Sequence, residues 1–574
     1  MKKNFNDISF LNSLNKFFKV IRLEKKEVTA IYFYAILSGV IQLTLPLGIQ
    51  TIINFSQAAA GIGNLPVSIV LLIAIVLIGI LVSGILQVNQ MKIVEKIEQS
   101  IFVRFSLDFA YRIPKIESTE LNYNHLPELM NRFFEIITLQ KGLSKILLDI
   151  PLAVIQIIFG LVLLSFYNST FIVLGLLLIL VLFFILKYTT KKGLVASYIE
   201  SENKYEVASW LEEVARSYKT FKISSQNNFH LKKTDKFVKD YLTSKTAQFD
   251  ILKVQYWSLI VFKLLISALM LIIGAVLLIK QQLNIGQFIA AEIVILLILS
   301  AVEKLILNLE VIYNILTGIE KLNKITDKKL EAQGSMSFAS TGKGIEIEVK
   351  NLNFKFENNR PLLQDVNFDI QPGSKICIMG DGGSGKSILL ELIGGTLKNY
   401  DGIININNIP LHNLNQSEYR QNIGIFYNEQ EIFDGTVLEN ICLGNEKITP
   451  SEIMNLAEMV EIKEFISLLP EGLHTQLQPT GKGLSTIIAK KILLLRAITN
   501  YPELLILDEP FELAGAESSK KIANYLIELK NTTCMVVSGY VPFAQKADLI
   551  IWLEKGKIKH IGQPDKILPL VNII

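Results

Sequence analysis

Eight residues, GDGGSGKS from Gly380 to Ser387, have the spacing G-x-x-x-x-G-K-S. They follow the apolar run Ile376-Cys377-Ile378-Met379 and precede Ile388-Leu389-Leu390-Glu391-Leu392. A strand, a glycine-rich turn and a helix in that order make a phosphate cradle. Backbone N–H groups of Gly380, Asp381, Gly382, Gly383, Ser384 and Gly385 can curl around phosphate oxygens. The helix opening at Lys386, Ser387 and Ile388 aims its positive end at them. Lys386 is expected to reach the outer phosphates as a point charge, and the Ser387 hydroxyl to ligate Mg²⁺. A plain glycine-rich turn would not need a lysine and a serine at these offsets.

Downstream, Leu504-Leu505-Ile506-Leu507 runs into Asp508-Glu509. A buried parallel strand would deliver both carboxylates to the sheet edge where ligands bind. Asp508 is expected to hold Mg²⁺ through water, and Glu509 to polarise the attacking water. The expected cofactors are therefore ATP and Mg²⁺.

The elements around this site divide the 574 residues in two, and half of all residues are hydrophobic. Six runs of about 20 or more apolar residues predict membrane-spanning helices over 28–55, 66–90, 145–166, 169–190, 256–279 and 285–311. After residue 346 short strands, turns and helices alternate. The expected organisation is an amphipathic helix (1–26), an all-α six-helix membrane domain (27–325), a linker (326–345) and an α/β P-loop domain (346–574). Basic residues concentrate after the second and fourth spans, as with Lys92, Arg104, Lys191 and Lys204. Both termini are thus expected on the cytoplasmic side. Phe10, Leu11, Leu14, Phe17, Phe18 and Ile21 predict a helix lying on the membrane surface, in a segment with no cleavable leader. The net charge of +4 is too mild for nucleic-acid binding. The three cysteines, Cys377, Cys442 and Cys534, lack metal-ligand spacing and imply a reducing compartment.

Six spans, two long cytoplasmic excursions and a C-terminal ATP site resemble a half-transporter of the ATP-binding-cassette exporter class over nearly the whole chain. Leu352 to Phe356 looks like the strand ending in an adenine-stacking aromatic, here Phe356. Ile432 to Val437 with Glu439-Asn440-Ile441 resembles the segment that docks the membrane domain. Asn122 to Phe134 and Glu206 to Lys222 are expected to hold the two intracellular turns. Leu45 to Asn54 resembles the first span of bacterial peptide, toxin and type I secretion exporters. No cysteine precedes Cys377, so the cysteine-peptidase activity some of them carry is not expected.

Four positions depart from the family pattern. Its LSGGQ signature aligns with Leu484-Ser485-Thr486-Ile487-Ile488, leaving Ser485 as the expected hydrogen-bond donor. Its Mg²⁺-linking glutamine falls on Asn428, and a loop aspartate on Gly515. Its switch histidine falls on Gly539, or on Ser538 one register away. The resemblance implies an exporter in the bacterial inner membrane, dimeric with itself or a related half-transporter and embedded in lipid. The implied cargo is a peptide, protein or other amphipathic substrate, with a periplasmic adaptor and outer-membrane channel in a Gram-negative host. A lipid or small hydrophobic compound is the alternative cargo. A nucleotide-sensing membrane regulator with little turnover is the alternative of another class. Within the spans, Lys263, Glu292 and Glu303 are candidates for the pathway, set against snorkelling for Lys263. A Lys263–Glu303 pair is expected at matching depth.

Overall fold

A computed structural model describes residues 10–58, 66–120, 130–223, 228–355, 361–512 and 515–571. The chain forms two compact units, residues 1–116 with 123–330, and residues 331–574 with 117–122.

The first unit is helical. After α1 (Phe10–Arg22) come α2 (Lys25–Gln42), α3 (Thr44–Ala58), α4 (Val67–Arg112), α5 (Glu135–Tyr167), α6 (Thr170–Arg216), α7 (Phe229–Ile279), α8 (Ile285–Leu307) and α9 (Leu309–Thr326). Among the described residues, six stretches of helix are long and apolar enough to cross a membrane. The first is interrupted between α2 and α3, three residues ahead of Pro46. The last is interrupted at Asn308, between α8 and α9. Their outer faces carry exposed aliphatic residues such as Leu71, Leu77, Leu81, Leu176 and Leu264, as expected of surface facing hydrocarbon. Small residues let the helices approach closely. A Cβ on Gly160 would lie 2.8 Å from Ile298, and one on Gly193 only 2.3 Å from the Tyr313 ring.

α1 packs against α9. Its Ser13 hydroxyl donates to Glu320 at 3.0 Å, and Lys16 donates to the same carboxylate at 2.9 Å, because the polar side of this helix meets α9. The second excursion stays helical to Arg216 and turns at Ser217, within the expected Glu206–Lys222, before a short helix over Tyr218–Ile223. Most of the segment expected to form the first intracellular turn, including His125, lies outside the described residues.

The second unit is α/β. β1 (Ile347–Lys355), β2 (Pro361–Ile370), β4 (Asp401–Ile406) and β5 (Ile409–Pro410) make an antiparallel sheet in the order β2-β1-β4-β5. A six-stranded sheet joins β3 (Lys375–Gly380), β6 (Ile423–Phe426), β7 (Leu504–Asp508), β8 (Thr533–Val537), β9 (Leu549–Glu554) and β10 (Lys557–Gly562). Its order is β10-β9-β3-β8-β7-β6, parallel throughout except for β10 at the edge. Every residue of β7 and β8 is buried, which explains their unbroken apolar sequence. Parallel strands end at one edge. The sequences that follow β3, β7 and β8 therefore meet there, although Gly380 and Asp508 are 128 residues apart.

Candidate functional site

The cradle is built where β3 turns into α10 (Lys386–Ile393). Gly380 has φ +143°, and a Cβ there would sit 1.9 Å from the Leu553 carbonyl oxygen. Gly385 has φ +100° and would bring a Cβ to 2.7 Å from Leu363. No other residue type fits either position without displacing backbone or core. The Lys386 ammonium folds over the loop, donating to the carbonyls of Gly380 at 2.8 Å and Asp381 at 2.9 Å.

Asp508 ends β7, in register with Val537 of β8, which in turn pairs with Ile378 of β3. Its carboxylate is only 5 % exposed and accepts from the Ser387 hydroxyl. Burial holds Asp508 above the usual carboxylate range, against the pull of Ser387 and Lys386. Glu509 takes the left-handed conformation, φ +52°, with its N–H on the Val537 carbonyl at 2.8 Å. Such backbone is costly outside glycine and turns the side chain off the strand. Burial, with Glu512 and Asp508 beside it, pushes Glu509 up to about 7. Lys386 and the Ser538 hydroxyl pull it the other way.

Ser538 therefore occupies a place at this edge that the sequence shows only as a missing histidine. It is buried, its N–H donates to Ile378 at 3.2 Å, and its hydroxyl oxygen accepts from the Tyr540 N–H at 3.0 Å. That acceptor contact leaves its proton for Glu509. Gly539 adds no side chain. Glu391, on α10, also belongs to the acidic surroundings: burial, then Glu429 and Asp508, raise it to about 7.

The remaining expected residues distribute as follows. The Asn428 amide oxygen accepts from the Lys490 ammonium. Ser485 caps α11 (Thr486–Thr499), accepting from the Ile488 N–H at 3.2 Å. Thr486 and Ile487 stand exposed where the pattern has glycines. Gly515 begins the helix Ala516–Glu528 as its N-cap. Phe356 lies outside the described residues. In the first unit, Lys263 and Glu303 meet at 2.5 Å, whereas Glu292 keeps a buried carboxylate oxygen without a partner.

A six-span helical unit followed by an α/β unit with a phosphate cradle and a strand-end Asp-Glu pair defines a membrane protein with a nucleotide-binding domain. Residues 28–302 match the ABC transporter transmembrane region, and residues 363–512 match the ABC transporter family. The chain belongs to the ABC transporter family and has the half-transporter arrangement, one membrane region and one ATP-binding domain. It is a multi-pass membrane protein. Among curated relatives it is 27% identical over 362 residues to the transport/processing ATP-binding protein ComA of Streptococcus pneumoniae, covering 62% of this chain and 50% of ComA. It is 27% identical over 459 residues to the transport/processing protein MesD of Leuconostoc mesenteroides, covering 77% of this chain and 61% of MesD. It is 28% identical over 254 residues to the ATP-dependent lipid A-core flippase of Saccharophagus degradans, covering 44% of this chain and 43% of the flippase. The chain thus spans about half the length of the curated relatives it matches. Its fold is that of a bacterial Atm1-family ABC exporter with ATP bound, at TM-score 0.83 and 16% identity, covering 95% of this chain and 96% of that one.

Proposed function

We propose that the chain is an ATP-driven exporter that works as a dimer, carrying a peptide or other amphipathic substrate out of the cytoplasm across a bacterial inner membrane, with both termini cytoplasmic. The observation that carries this is the convergence of Lys386, Ser387, Asp508 and Glu509 at one sheet edge, in a chain whose other unit is a six-span bundle. Lys386 already faces the loop that would hold the phosphates. Glu509, raised to about 7, is poised to accept a proton from water near neutral pH. Ser538 orients its carboxylate.

The donor set also suits Mg²⁺. Ser387 and Asp508 offer hard oxygen donors already in contact, and burial with neighbouring carboxylates raises Asp508 and Glu509 despite the pull of Lys386. Among the described residues no group of three acids, histidines or cysteines could hold an ion alone, so nucleotide oxygens would complete its shell. When bound, the ion supplies charge neutralisation on the phosphates. Asn428 stands ready to contact it once released from Lys490.

A transported peptide is favoured by the ComA and MesD likeness, and a lipid by the flippase likeness. The exposed Thr486 and Ile487 favour slow turnover, since their side chains stand where a partner's phosphates would approach. In inside-out vesicles, ATP should drive uptake of a labelled amphipathic peptide, and Glu509→Gln should abolish it. Uptake that survives the substitution would point instead to a nucleotide-sensing regulator.

A further inference from the structure

Asn428 stands two residues beyond β6, whose Phe426 pairs with Leu507 of β7. The two strands are parallel, so the chain after β6 leaves the sheet at the edge where Asp508 ends β7. The Tyr427 hydroxyl donates to the Leu390 carbonyl at 3.2 Å and ties this loop to α10. α11 packs against β6, and its second turn carries Lys490. The Lys490 ammonium donates to the Asn428 amide oxygen.

The neighbouring lysine behaves differently. Lys491 donates to the Glu461 carbonyl at 3.2 Å and makes no contact with the loop after β6. The partner of Lys490 is a neutral amide, so its charge stays open to the acids nearby. Lys490 and Lys386 both pull the Asp508 carboxyl down, against the burial that raises it.

The edge is rich in acids. Glu391 faces Glu429 and Asp508, and Glu509 faces Glu512 and Asp508. Against these stand Lys386, held on the carbonyls of Gly380 and Asp381, and Lys490. A triphosphate adds negative charge at the same place, and repulsion is strongest where burial lowers the dielectric. Positive charge at this edge therefore favours nucleotide before any ion is present.

We propose that Lys490 is a resident countercation of the nucleotide site and lowers the dependence of ATP binding on Mg²⁺. Its ammonium offsets the acidic edge before nucleotide binds, and it covers the Asn428 oxygen. The inference rests on the ATP-driven reading, because it names a further positioning residue of that same site. A purely structural tie would need only a donor to Asn428, which glutamine also supplies; a countercation needs the charge.

The test is binding of a fluorescent, non-hydrolysable ATP analogue to the full chain in nanodiscs, measured once with excess Mg²⁺ and once in EDTA. The readout is the ratio of the two affinities. Lys490→Gln should raise that ratio at least about fivefold, chiefly by weakening binding in EDTA, the scale of one partly exposed charge contact. Lys490→Arg, which keeps the charge, and Lys491→Gln, which removes the neighbouring one, should each leave the ratio within about twofold of the original. An unchanged ratio in Lys490→Gln would overturn the inference, and a loss of binding equal in both conditions counts as such. A rise in Lys490→Arg or Lys491→Gln equal to that in Lys490→Gln would overturn it as well. No analogue bound by the original chain in either condition would sink the ATP-driven reading itself, whereas analogue bound with an unmoved ratio sinks only the role of Lys490.

Discussion

Replacing Glu391 by Gln should stabilise the nucleotide-binding unit at alkaline pH and do little in acid. Glu391 lies on α10, one helical turn after Ser387, and its carboxyl is raised to about 7 from 4.5 by burial, Glu429 and Asp508. A carboxyl raised on folding contributes stability that is fully present below the unfolded value and is lost as pH rises through the folded value. The window is therefore about pH 4.5 to 7. The full shift would correspond to about 3 kcal/mol at 1.36 kcal/mol per unit. Glu391 is only partly buried, so solvent screening reduces this to about 1–2 kcal/mol. For a unit of this size that is roughly 4 °C in melting temperature. The assay is thermal unfolding in detergent at pH 5 and pH 8, read from Trp552 fluorescence with Trp210 and Trp257 replaced by Phe. The variant should melt higher at pH 8, with about a quarter of that gain or less at pH 5. Destabilisation at pH 8, or an equal shift at both values, would refute the assignment of Glu391 as an unrelieved buried acid.

Three further outcomes follow from the same geometry. Lys386→Ala removes the ammonium that spans the Gly380 and Asp381 carbonyls and should weaken ATP binding by about tenfold or more, measured with a fluorescent ATP analogue. Ser538→Ala removes the hydroxyl on Glu509 and should lower kcat several-fold with little change in KM for ATP, while Ser538→Thr restores it. An equal loss in Ser538→Thr would remove the positioning role. Gly193→Ala drives a methyl into the buried Tyr313 ring and should cost about 1–3 kcal/mol or more, lowering the yield of folded protein in detergent.

The cradle was legible in the sequence because its chemistry tolerates few residue types at fixed offsets, and Gly380 and Gly385 show the backbone reason. The spans were legible because length and apolarity alone define them. Ser538 appeared only as an absent histidine, since its contact with Glu509 depends on the β7–β8 register. The Lys490 hold on Asn428 joins residues 62 apart, and α1 to Glu320 joins residues more than 300 apart; no local pattern encodes either. Glu391 carried a signal that could have been used: four residues after Ser387 on a helix, it had to share that face.

The most direct test is ATP turnover by the purified chain alone in lipid nanodiscs, beside its Glu509→Gln variant. The account predicts slow turnover that requires Mg²⁺ and falls to background in the variant. Turnover equal in both proteins, or ATP bound with none hydrolysed in either, would contradict it.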